Sequence, residues 1–119
     1  MGWLKTALGV GQGVDARAAD RLVRAGATLL DVRSTAEWRA GHAPAALHVP
    51  LGELESRLGK IPRDRPVVAV CRAGGRSARA TALLNRSGFD AKNLSGGMRA
   101  WSSAGLDVKT DAGSNGTVV

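Results

Sequence analysis

From Val67 to Leu84 the chain reads VVAVCRAGGRSARATALL, and this stretch constrains the fold more than any other. Val67 to Val70 runs without a polar break, as a strand buried on both faces does. After Cys71 and a pair of glycines the pattern becomes helical, from Arg76 to Ser87, and Gly88 ends it. A buried strand that turns through glycines into a helix is half of a βαβ unit, and such units build parallel sheets covered by helices.

The same alternation fills the rest of the chain. Val14 to Ala25 reads as a helix with an Asp at its start, apolar Ala18, Leu22 and Ala25 on one face, and Gly26 after it. Thr28 to Val32 is a short buried strand. Ser34, Thr35, Ala36 and Glu37 have capping-box spacing, which predicts a short helix stopped at Gly41. Leu47 to Val49 reads as a brief strand, Leu51 to Leu58 as a helix closed by Gly59, and Pro62 and Pro66 as the frame of a turn. Ala91 to Leu94 is a further strand, and Met98 to Ala104 a last helix before Gly105. The class is α/β, a parallel sheet with helices on both faces. Residues 1–13 stand as an N-terminal extension, a short helix that docks on the domain or on a partner. Residues 109–119, rich in Gly, Ser, Thr and Asn, read as a disordered tail.

Composition narrows the function. At 119 residues the chain fits one domain. No apolar run approaches the roughly 18 residues of a membrane span, and Lys5 interrupts the only apolar stretch near the N-terminus, so neither a membrane anchor nor a secretory signal is expected. One cysteine cannot form an internal disulfide, and with two scattered histidines, His42 and His48, it makes no metal site. No metal or cofactor is expected, and the cytoplasm is the expected location. The net charge is +7, and between Arg63 and Arg99 eight basic residues face only Asp64 and Asp90. A nucleic-acid surface normally interleaves such charge with stacking aromatics, yet the chain has one Phe, three Trp and no Tyr. The charge gathers around Cys71, which fits a small anion better than a nucleic acid.

Cys71 therefore stands at the carboxyl end of a buried parallel strand, the edge where open α/β sheets bind ligands. Gly74 and Gly75 let the loop curl and point successive N–H groups inward. The first N–H groups of the next helix add a positive partial charge. A cysteine so placed favours the thiolate. The alternative is a small buried hydrophobe, for which two glycines, two arginines and a serine are superfluous. Arg72 and Arg76 are available for charge-assisted bonds to an anion.

The loop CRAGGRS resembles the C-x-x-G-x-R-S active-site loop of rhodanese-type sulfurtransferases. Leu30-Asp31-Val32-Arg33 with Glu37-Trp38 and Gly41-His42 is similar to a second segment of that family, and Leu94-Ser95-Gly96-Gly97-Met98-Arg99-Ala100-Trp101 to a third. The likeness covers Val14 to Val108. It implies a rhodanese-like five-stranded parallel sheet flanked by helices on both faces. It also implies Cys71 as a nucleophile that carries sulfur as a persulfide, within substrate-binding Arg72, Ala73, Gly74, Gly75, Arg76 and Ser77. The donor would be a small anion such as thiosulfate, and the acceptor an external thiol or protein, or cyanide in an assay. The related phosphatases carry a loop one residue longer, and five positions separate Cys71 from Arg76 here, which argues for sulfur rather than phosphoryl chemistry.

Asp31 and Arg33 read as supports or a structural ion pair, and Glu37 as the end of a capping box or the partner of an arginine. His42 is expected to make a local turn contact, and Trp101 and Leu106 to pack the last helix. LSGGM at Leu94–Met98 resembles the signature of ABC-type ATPases, but no Walker A lysine motif accompanies it. Where the family places Gly-Ala after its G-H-x-P, this chain has Ala45-Ala46. Two functions follow, a sulfurtransferase and a non-catalytic or redox-sensing rhodanese-like module; retention of the cysteine, arginines and glycines favours the enzyme.

Overall fold

The computed structural model describes residues 13–119, so most of the N-terminal extension lies outside the described residues. Five strands form one sheet: β1 (Gly13–Val14), β2 (Thr28–Asp31), β3 (Leu47–His48), β4 (Val67–Val70) and β5 (Ala91–Leu94). Their order is β1-β5-β4-β2-β3, with every pair parallel. The strand that leads to Cys71 is thus the centre of the sheet. All four of its residues are buried, the burial expected of a strand covered on both faces.

Alternation along the strands sorts the core into two clusters. Leu30, Val32, Val67, Ala69 and Cys71 face one way, against Ala80 and Leu84 of helix α3 (Gly75–Arg86) and against Leu54 and Ile61. Leu29, Val68, Val70 and Leu94 face the other way. There they meet Ala16 and Ala19 of α1 (Ala16–Arg24) and Met98 and Trp101 of α4 (Gly97–Ser103). Trp101 does hold the last helix to the sheet, with Leu106 packed beside it. Helix α2 (Thr35–Ala40) buries no residue and sits beyond the ends of the strands. Its capping box is complete: Ser34 Oγ accepts from Glu37 N–H, and the Glu37 carboxylate accepts from Ser34 N–H at 3.0 Å. Asp15 caps α1 by accepting from Ala18 N–H at 2.8 Å.

Three expectations are corrected. Val14 belongs to β1 rather than to the first helix; Val14 lies opposite Leu94 in the sheet, and Ser95 N–H donates to its carbonyl. Leu51 to Leu58 is not an α-helix but two 3₁₀ segments, Leu51–Glu53 and Glu55–Lys60, with a break at Arg57. The glycines at 52 and 59 and the short length favour i to i+3 turns over a regular helix. The tail is ordered against the body. Lys109 and His42 exchange backbone hydrogen bonds at 2.9 and 2.8 Å, and Thr117 N–H donates to Ala40 O at 2.8 Å. The cause is a close backbone approach that composition hides: a Cβ on Gly116 would lie 2.6 Å from Gly41 Cα, so both positions must lack one. Val118 adds apolar contact with the α1–α4 cluster.

Candidate active site

The site is built where β4 ends and α3 begins. Gly74 takes φ +122°, a conformation that L side chains rarely adopt, and this turn brings its N–H onto the Cys71 sulfur at 3.1 Å. Gly75, expected from the sequence to share this role, is helical and a Cβ there would meet nothing. Ser77, on the first turn of α3 and fully buried, donates its hydroxyl to the same sulfur at 3.3 Å. Cys71 itself is 1% exposed. Burial pushes its thiol up, but the Ser77 hydroxyl and the N–H groups of Ser77, Gly74 and Ala73 outweigh it and leave the pKa below the ordinary value.

The other side of the loop is held by α4. Met98 N–H donates to Cys71 O at 2.8 Å and Arg99 N–H to Arg72 O at 3.2 Å, so these two loop carbonyls face α4 rather than the sulfur. This contact requires Gly97, whose φ is +60° and whose added Cβ would lie 2.5 Å from Cys71 O. The GGMRAW segment is therefore the back wall of the CRAGGRS loop. Two helix starts serve one cysteine, α3 offering donors to the sulfur and α4 absorbing the acceptors behind it.

The charged residues take defined places. Arg76 forks onto Glu37, with Nη1 2.6 Å from Oε1 and Nη2 2.8 Å from Oε2. The guanidinium lowers the Glu37 carboxyl to about 2, with help from Ser34, and Glu37 in turn raises Arg76. Glu37 thus fills both roles anticipated for it. Arg72 Nε donates to Val119 O at 2.8 Å, which ties the end of the tail to the active-site loop. Asp31 and Arg33 form a structural pair, Arg33 Nη2 lying 2.7 Å from Asp31 Oδ2 with both side chains fully buried. Arg33 also reaches Gly41 O at 2.9 Å and so braces the end of α2. His42 makes the local contact expected of it: Nδ1 is 2.7 Å from Trp38 O, and its ring stacks on Trp38. The ring of His48 stacks on the same indole.

One residue of the site was missed. Asn93 on β5 lies 2.5 Å from Ser77 Oγ through its Oδ1 and donates from Nδ2 to Gly74 O at 3.2 Å. The signal was present: AKNL is an oddly polar interruption in a strand next to the sheet's centre. Among the described residues no cluster of three or more His, Cys, Asp or Glu could hold a metal ion, and no helix is long and apolar enough to cross a membrane. A cleft of 410 Å³ lined by Asp20, Val23, Trp101 and Leu106, among others, includes no residue of the cysteine loop.

The sheet, the central strand and the donor-lined cysteine define a class: a parallel α/β domain that presents a single cysteine sulfur at the carboxyl edge of its sheet. Within that class the chain belongs to the rhodanese-like domain family, whose model matches residues 14–104. A sulfurtransferase of Allochromatium vinosum is 41% identical over 86 residues, 71% of this chain and 80% of that protein. A putative sulfurtransferase of Bacillus subtilis, YtwF, is 36% identical over 73 residues, 61% of this chain and 71% of the relative. An HTH-type transcriptional regulator of Mycobacterium tuberculosis is 39% identical over 87 residues, but the match spans only 38% of that protein. Among solved structures, a rhodanese-related protein from Thermoplasma volcanium superposes with a TM-score of 0.76 at 28% identity, covering 82% of this chain and 96% of that one.

Proposed function

We propose that this protein is a sulfurtransferase that carries sulfane sulfur on Cys71 and takes it from a small anionic donor such as thiosulfate. The observation that carries the reading is the polarity of the loop: hydrogen-bond donors face the sulfur and the carbonyls of Cys71 and Arg72 face α4. Such a cavity stabilises negative charge on a sulfur atom without a metal or a second thiol.

In the first step the Cys71 thiolate attacks the outer sulfur of thiosulfate. A new S–S bond forms, the S–S bond of the donor breaks, and sulfite leaves with the bonding electron pair. In the second step an acceptor nucleophile attacks the outer sulfur of the persulfide, and the Cys71 thiolate leaves. Cyanide is released as thiocyanate, and a thiol acceptor becomes a persulfide. Cys71 is the only cysteine in the chain, so no internal thiol can discharge it as a disulfide and the acceptor comes from another molecule. The near-closed position of the sulfur favours a donor that presents one narrow terminal atom, as thiosulfate does, over a phosphoryl group. Arg72, with its Nε on Val119 O, has its two terminal nitrogens to offer a donor anion, whereas Arg76 is committed to Glu37. A lone reduced thiol suits a reducing compartment such as the cytoplasm.

The test is the intact mass after incubation with thiosulfate, followed by cyanide. Wild-type protein should gain one sulfur atom and release thiocyanate, and Cys71→Ser should do neither. A wild type that gains no sulfur, or a Cys71→Ser protein that turns over equally, overturns the assignment.

A further inference from the structure

Ser77 has one hydroxyl proton and three acceptors around it. Its oxygen lies 2.5 Å from Asn93 Oδ1, 3.3 Å from Cys71 Sγ and 3.3 Å from Gly74 O. The shortest of these contacts leads away from the sulfur. Asn93 reaches the loop from β5, where it lies opposite Ala69 of β4, two residues before the cysteine. Its orientation is fixed by its other end: Nδ2 donates to Gly74 O, and turning the amide over would set Oδ1 against that carbonyl. Asn93 therefore presents an acceptor, and only an acceptor, to Ser77.

We propose that Asn93 is a positioning residue for sulfur transfer, a second acceptor that lets the Ser77 hydroxyl bond the Cys71 sulfur when that atom is charged and release it when it is not. The proposal rests on the sulfurtransferase reading and adds the device that lets one site hold two sulfur species. In the thiolate the charge sits on Sγ, and a charge-assisted bond draws the hydroxyl hydrogen to it. Once the persulfide forms, the charge moves to the outer sulfur and Sγ becomes a weak neutral acceptor. The hydroxyl then turns to Asn93 Oδ1. No proton changes hands; one O–H rotor swings between Sγ and Asn93 Oδ1, while the third acceptor, Gly74 O, is served by Asn93 Nδ2. With Asn93 absent, the acceptors left to the hydroxyl are the charged sulfur and the neutral Gly74 O; the charge-assisted bond wins, and it holds the thiolate more stable and less nucleophilic than transfer requires.

The test is the pH profile of alkylation by iodoacetamide, which reads the Cys71 thiolate with no sulfur donor present. Asn93→Ala should lower the midpoint by about half a pH unit, the size of one modest hydrogen bond, and lower the limiting rate at high pH. Ser77→Ala should raise the midpoint. In the Ser77→Ala background the Asn93 substitution should leave the midpoint where it is, because its effect runs through the hydroxyl. Arg72, Arg76 and Glu37 are unchanged in every variant and cancel in the comparison. An Asn93→Ala midpoint that stays put or rises overturns the proposal, as does a shift that persists without Ser77. Asn93→Leu, which keeps the shape of the side chain, gives the same readout if the alanine protein does not fold. If wild type takes no sulfur from thiosulfate, the sulfurtransferase reading fails; if it does and the Asn93 cycle is flat, only the rotor fails.

Discussion

The pairing of Glu37 with Arg76 can be isolated by a single change. Glu37→Gln keeps Oε1 to accept from Ser34 N–H, so the capping box survives, and removes the charge that Arg76 grips together with the Oε2 acceptor of the fork. The carboxyl falls from 4.5 to about 2 on folding, and at about 1.4 kcal/mol per pH unit this shift bounds the stabilisation at about 3 kcal/mol. Ser34 supplies part of it, and the Arg76 side chain is 37% exposed, so solvent screening reduces the pair itself to about 1–2 kcal/mol. A lowered carboxyl stabilises the fold fully above its unfolded value of 4.5, and the contribution fades as pH falls through 2. At pH 3 about two-fifths of it remains. Urea unfolding of both proteins at pH 7 and pH 3 checks this: the variant should lose about 1–2 kcal/mol at pH 7 and clearly less than half of wild type's advantage should remain at pH 3. An equal loss at the two pH values would refute the argument, since it would place the effect in packing rather than in charge.

Asp31→Asn should be costlier, by about 3–5 kcal/mol, because it leaves the fully buried Arg33 guanidinium without its counter-charge; a loss under 1 kcal/mol in urea unfolding would show that the pair is not needed. Gly116→Ala should detach the tail from Gly41, read as faster proteolytic removal of residues 109–119 with little change in the unfolding of the body.

What the sequence revealed tracked how local each contact is. The strand at Val67–Val70 and the cysteine turn were legible because neighbouring residues create them. The capping box at Ser34 was legible for the same reason. The fork between Glu37 and Arg76 spans 39 positions, and either residue alone has several ordinary uses. Asn93 stands out as a polar residue in a strand, but its role does not, since its partner lies 16 residues away on another element. Strand β1 is two residues long, too short for any periodicity, and only its pairing with β5 makes it a strand. The tail misled for a different reason: composition measures side chains, and what docks residues 109–119 is largely backbone meeting backbone beside two glycines.

The contact at Gly97 changes how sequences of this type should be compared. Cys71 and Gly97 are far apart along the chain, yet the carbonyls on either side of the loop's first turn are held in place only if position 97 has no side chain. A chain with an intact cysteine loop and a bulky residue at this second glycine could not keep those carbonyls turned outward, and the ring around its sulfur would mix acceptors with donors. The donor-lined sulfur is therefore a property of the two segments together, and the cysteine loop read alone does not specify it.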